Sequence, residues 1–163
     1  MNKIYFGIDN GVSGTIGVRS DDLTEFIKTP TKSEQSYTKA KQNITRIKVE
    51  TLVDFLSSFD TKDWFAIIER PMVNPGRFKA TVSALRAMEA TLNVIELLGI
   101  PYQYIDSKEW QKVFLPKEAK GEELKTASKD VGCRLFPQFK ELITKHGDAD
   151  GLLIAEFAKR KNF

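Results

Sequence analysis

Ile4-Tyr5-Phe6-Gly7-Ile8-Asp9-Asn10-Gly11 decides how this chain is read. A short apolar run closed by a glycine turn predicts a buried strand over residues 3–9. The run ends on a carboxylate. The pattern recurs at Trp64-Phe65-Ala66-Ile67-Ile68-Glu69, a second apolar run that ends on an acid. A third acid, Asp150, opens the apolar helical stretch Gly151-Leu152-Leu153-Ile154-Ala155. One α/β sheet can bring two strand ends and a helix start together. Clustered carboxylates repel one another and resist desolvation unless a cation holds them. An all-oxygen donor set suits Mg²⁺, with Mn²⁺ as its substitute.

The segments between these points set the fold class. Gly11, Gly14 and Gly17 mark a turn into a strand at 15–19, and residues 23–29 predict a third strand. Residues 31–39 are polar and predict a loop. Residues 40–59 carry Ile44, Ile47, Leu52, Phe55, Leu56 and Phe59 at mostly helical spacing. A long amphipathic helix is expected over 79–98, stopped by Gly99 and followed by a strand at 101–105. Helices are expected near 107–114, 122–136 and 148–160. Three turn-linked strands, then helices alternating with strands, predict an α/β protein with a mixed sheet covered by helices.

The chain has 163 residues, which predicts a single domain spanning 1–163. One cysteine, Cys133, excludes an intrachain disulfide and fits a reducing cytoplasm. The N-terminus lacks the pattern of a signal peptide, and no apolar run is long enough to span a bilayer. The formal net charge is +3, but the positive residues are grouped. Six lie between Lys28 and Lys48 beside one acid, and Arg70, Arg77, Lys79 and Arg86 follow Glu69 with no acid among them. Basic stretches beside an acidic centre suit a polyanionic partner.

Three stretches carry a resemblance. Gly7-Ile8-Asp9-Asn10-Gly11, then Ile67-Ile68-Glu69-Arg70-Pro71, then His146-Gly147-Asp148-Ala149-Asp150-Gly151-Leu152-Leu153-Ile154-Ala155 resemble the RuvC family of Holliday-junction resolvases, in particular its phage-encoded branch. The resemblance implies an RNase H-like fold, with a mixed five-stranded sheet flanked by helices. It also implies a two-fold homodimer and Mg²⁺-dependent cleavage of branched DNA, four-way and three-way, inside a bacterial host cell.

In such an enzyme Asp9 bridges two cations, with Glu69 on one side and Asp150 on the other. Two ions about 3.5–4 Å apart clamp an in-line displacement at phosphorus. The family places an acid or histidine three residues before the helix aspartate, where this chain has Gly147. That leaves His146 and Asp148 as alternatives. On a continuous helix His146 shares a face with Asp150. It also suits a general base. Asp148 is an N-cap type residue whose side chain can turn inward. For DNA contact the resemblance and the charge pattern point to Arg70, Arg77, Lys79, Lys112 and Lys125. Met72 takes the position where the family carries an aromatic wedge. Pro75-Gly76 predicts a mobile turn, and Trp110 is expected to be buried. On the 79–98 helix, Val94 and Leu97 lie off the Val82–Leu85–Leu92 stripe and mark a dimer face.

Other readings remain open on sequence alone. An actin-like or sugar-kinase ATP-binding fold begins with a similar strand and Gly-Ile-Asp loop. A non-catalytic nucleic-acid-binding module needs no trio of acids. An RNase H-type nuclease acting on RNA–DNA hybrids shares the metal chemistry.

Overall fold

The computed structural model describes residues 3–61 and 63–163. A five-stranded sheet is built from β1 (Ile4–Ile8), β2 (Thr15–Arg19), β3 (Thr24–Lys28), β6 (Trp64–Glu69) and β7 (Tyr102–Ile105), in the order β3-β2-β1-β6-β7. The first three strands form an antiparallel meander, and β1, β6 and β7 run parallel. Parallel strands need a long crossover. Here α2 (Phe78–Leu97) provides the crossover from β6 to β7.

Each face of the sheet carries its own core. Phe6, Ile8, Ile16, Val18, Ala66 and Ile68 pack with α1 (Val49–Ser57) and α2. Tyr5, Phe26, Ile67 and Ile105 pack on the opposite side. There they meet α3 (Ser107–Phe114), α4 (Glu122–Leu135), α5 (Lys140–His146) and α6 (Asp150–Lys161). Alternate residues of one strand face opposite cores, which explains why β1 is wholly buried.

Helix α6 sits unusually close to the sheet. Gly7 and Gly17 are direct cross-strand partners in β1 and β2. A Cβ on Gly7 would stand 2.3 Å from Gly151 O, and one on Gly17 would stand 2.5 Å from the same atom. A Cβ on Gly151 would stand 2.6 Å from Thr15 O. These are backbone contacts, so three glycines let the helix rest directly on the strands.

Several sequence expectations are corrected. The 31–39 loop and the start of the 40–59 helix are replaced by a hairpin of β4 (Thr31–Gln35) and β5 (Asn43–Ile47), and only Val49–Ser57 is helical there. Ile44 and Ile47 mimic helical spacing, but they lie on a strand. Helix α5 was not anticipated. The expected helix at 148–160 begins at Asp150, because Gly147 ends α5 in a left-handed conformation, φ 106°, rather than starting a helix. The turn expected at Pro75-Gly76 is present as a 3₁₀ turn whose Gly76 N–H donates to the Asn74 side chain at 2.9 Å. On α2, Val94 is only 1% exposed and belongs to the core. The exposed apolar line is instead Phe78, Val82 and Leu85, with Leu97 apart at the helix end.

Candidate metal centre

The register of β1 and β6 pairs Ile8 with Ile68. The next residues, Asp9 and Glu69, therefore emerge side by side at the C-terminal end of two parallel strands. Asp150 reaches the same end as the first residue of α6. Oxygens of Asp9, Asp148 and Asp150 all lie within 4.8 Å of one another. Glu69 stands at the edge of this trio. Its Oε2 accepts the indole N–H of Trp110 at 2.6 Å, and Trp110 is buried as expected.

Neighbouring polar groups fix the trio. The Asp148 Oδ1 accepts the Asp150 N–H at 3.2 Å, which turns its carboxylate inward. Ser128 Oγ on α4 donates to Asp150 Oδ1 and accepts the Ala149 N–H at 3.0 Å. Thr15 Oγ1 accepts the Gly151 N–H at 2.9 Å, tying the start of α6 to β2.

The electrostatics are those of a site built for a cation. Burial, then the charges of Asp150, Glu69 and Asp148, push Asp9 well above the ordinary carboxylate range. Burial and the Asp148 charge push Asp150 up to about 7, against the hydrogen bond from Ser128. Burial also raises Glu69, against the Trp110 hydrogen bond. Lys125 is the cation that opposes the rise at both Asp9 and Asp150. Buried carboxylates that raise one another are relieved by a divalent ion held among them. The all-oxygen donor set fits Mg²⁺ or Mn²⁺.

His146 is the last residue of α5, so it does not share a helix with Asp150. Its Nε2 lies 3.6 Å from Asp148 Oδ2, buried and without a hydrogen-bond partner among the described residues. It borders a pocket with Ser13, Phe26, Lys28, Lys125 and Lys145.

The other expected DNA contacts are spread around the site. Arg70 pairs with Asp106 (3.1 Å) and lies over the Tyr104 ring. A cleft of about 610 Å³ beside Glu69 is lined by Arg70, Met72, Arg77, Thr81 and Lys108. Lys79 is exposed on the first turn of α2, and Lys112 is exposed on α3, bordering a second groove. Met72 is 76% exposed, and Phe78, the first residue of α2, is 73% exposed. Phe78 was missed in the sequence because it falls beyond the position matched to the family wedge. The signal was a phenylalanine at a helix start among residues that are otherwise polar or small.

No family model and no curated protein matches the sequence. The structure does match solved ones. RuvC of T. thermophilus in complex with a Holliday-junction substrate superposes at a TM-score of 0.57, with 18% identity over 98% of this chain and 96% of that one. A second structure of Thermus thermophilus RuvC matches at a TM-score of 0.50 and 15% identity, with the same coverage. The chain therefore has the RuvC-like, RNase H-like fold expected from its motifs. The match runs along nearly the whole of both chains. Among the described residues no helix is long and apolar enough to cross a membrane.

Proposed function

We propose that this protein is a metal-dependent endonuclease that cleaves branched DNA, including Holliday junctions, as a two-fold homodimer in DNA recombination and repair. The convergence of Asp9, Asp148 and Asp150 at the sheet end of a RuvC-like fold carries the reading. Glu69, at the edge of the trio, completes a donor set of four carboxylates. Bound Mg²⁺ or Mn²⁺ supplies charge neutralisation at the scissile phosphate and acidifies water.

The chain's own groups do the rest. Asp9 is the central ligand, because its strand lies between those that position Glu69 and the seat of α6. Trp110 and Ser128 hold Glu69 and Asp150 in orientation. Lys125 tempers the acidic cluster and approaches from the side where DNA phosphates enter. His146 serves as a neighbour of Asp148, set to exchange a proton at Nε2. Arg70, Arg77, Lys79, Lys112 and Lys125 grip the backbone, while Met72 and Phe78 wedge into the branch point. Apolar wedges separate base steps without reading their edges, so weak sequence selectivity and cleavage of three-way branches follow.

A four-way junction has two-fold symmetry, which calls for two equivalent sites at fixed separation. The exposed Val82 and Leu85 on α2 form the apolar surface offered to a second copy. A cytoplasmic enzyme of a phage-infected bacterium fits the reducing environment suited to a single cysteine.

The test uses purified protein with labelled four-way, three-way and linear duplex DNA and an RNA–DNA hybrid. Nicking of the branched substrates with Mg²⁺, and none in chelator, is expected. Cleavage of the hybrid alone would move the assignment to an RNase H-type nuclease, and no cleavage at all would leave a binding module.

A further inference from the structure

Of the hairpin of β4 and β5 only Ile47, at its root, enters a core of the sheet, and the active-site chemistry makes no use of the rest. Its two strands pair only with each other. Five basic residues (Lys32, Lys39, Lys41, Arg46 and Lys48) and one acid, Glu34, give residues 31–48 a charge of +4. The whole chain carries +3, so the rest of it sums to −1. The protein's excess positive charge is therefore concentrated on this ribbon.

Glu34 is occupied within the ribbon by Arg46 and Lys32. Lys39, Lys41 and Lys48 have no acidic partner among the described residues. Lys39 and Lys41 stand exposed in the loop at 36–42, where Tyr37 is 68% exposed. That loop has a defined shape. Ser36 N–H donates to Gln42 O at 2.8 Å, Gln42 N–H donates to Ala40 O at 3.0 Å, and the Ser36 and Thr38 hydroxyls bond at 2.9 Å.

The ribbon leaves from the catalytic end of the sheet. Lys28, the last residue of β3, pairs with Thr15, whose carbonyl accepts the Asp9 N–H at 3.1 Å. Thr29 N–H is bound to Gly14 O at 3.0 Å, in the turn that follows Asp9. On the other strand, Arg86 of α2 donates to Thr45 O at 3.3 Å. The ribbon is thus held at its root between the β1–β2 turn and α2, while its tip carries unpaired lysines and an exposed ring.

From this we infer that the β4–β5 ribbon is a second DNA grip, which lies along a duplex arm beside the cleavage site and contacts its phosphate backbone. Five-residue strands extend roughly 17 Å, a length over which one strand of B-form DNA presents about five phosphates. Lys39 and Lys41 meet phosphates, and Tyr37 packs on the sugar between them. The inference rests on the nuclease reading above and adds where the uncut arm is held.

The test measures binding of a labelled four-way junction in chelator across a salt series, for wild type, K39Q/K41Q, K39R/K41R and Tyr37→Ala. The K39Q/K41Q protein should bind about tenfold or more weakly at 0.1 M salt, and its slope of log affinity against log salt should be shallower by about 1.8, or 0.9 per lost phosphate contact. K39R/K41R should restore both. Tyr37→Ala should weaken binding with the slope unchanged. The single-turnover rate at saturating protein should stay at the wild-type value throughout.

An unchanged affinity and slope in K39Q/K41Q overturns the grip, and leaves the ribbon to another partner such as a protein or RNA. A rate lost at saturation also overturns it, placing the ribbon in the chemistry instead. If wild type itself neither binds nor cuts branched DNA, it is the nuclease reading that falls, and the two failures are thereby told apart.

Discussion

Trp110 donates its indole N–H to Glu69 at 2.6 Å from a site with no solvent exposure. The carboxylate that stands outside the tight trio is thus the one held by a rigid buried ring. Trp110→Phe keeps most of the volume and removes the donor. The Mg²⁺ concentration for half-maximal cleavage should rise by about 10–100-fold, as when a partner that orients a metal ligand is lost, while the circular dichroism spectrum is kept. A metal dependence unchanged from wild type makes Trp110 a core residue only.

The acidic trio should cost the metal-free protein stability. Asp150 is held up to about 7, above its ordinary value near 3.9. A carboxyl raised in this way favours the folded state when protonated, so the metal-free protein should gain stability as pH falls from about 8 towards 5. Asp150→Asn should raise the metal-free Tm at pH 8 by about 2–4 °C for each kcal/mol relieved and abolish cleavage. Mg²⁺ should raise the Tm of wild type and do little for the variant. A metal-free Tm that falls in Asp150→Asn would mean that the carboxylates do not repel in the fold.

Asp148 and His146 should separate in the opposite order to the one a continuous helix suggests. Asp148 shares the trio, whereas His146 closes a different helix. Asp148→Asn should abolish cleavage, and His146→Ala should reduce the single-turnover rate by about 100-fold, the low end of what one proton transfer contributes. Equal losses would put His146 among the ligands.

Arg19 and Arg160 both bond Glu156 at 2.8 Å. Burial opposes its ionisation, yet these guanidinium contacts prevail and hold Glu156 below its ordinary value. A depressed carboxyl stabilises the fold above its unfolded pKa, near 4.3, and that contribution disappears as pH falls through the folded value. Glu156→Gln should lower the urea midpoint at pH 7, with the difference from wild type closing below about pH 4. A difference that persists unchanged at pH 3 would assign it to packing.

The second copy can be tested on α2. Leu85→Glu places a charge beside Val82 on the exposed face of α2. Light scattering should report a dimer for wild type and a monomer for the variant, with paired incisions across a junction becoming single nicks. A wild-type monomer at all concentrations removes the two-fold model.

What the sequence revealed and what it hid follow from the range of the interactions involved. Asp9 and Glu69 were legible because a continuous apolar run marks a central strand, and its first polar residue marks the end. The hairpin was illegible because both its strands are polar, and Ile44 and Ile47 stand three residues apart as they would on a helix. Gly147 is ambiguous by type, since glycine both precedes and ends helices, and only its φ of 106° resolves it. The Trp110–Glu69 bond joins residues 41 positions apart, beyond what local pattern can reach. The RuvC-like fold was legible through motif order, although the chains share few residues otherwise.

The touching of α6 against β1 and β2 through Gly7, Gly17 and Gly151 has a bearing on how such a chain changes over time. Where two segments meet through side chains, each replacement alters their spacing a little, and an active site carried on them drifts. Here main chain meets main chain, so the gap is set by peptide dimensions that no substitution elsewhere can alter. Volume-conserving exchanges among the buried leucines and isoleucines around the seam leave the spacing of Asp9 and Asp150 to the main chain. The seam acts as a gauge block: three positions held to hydrogen as a side chain let the remainder of the molecule vary.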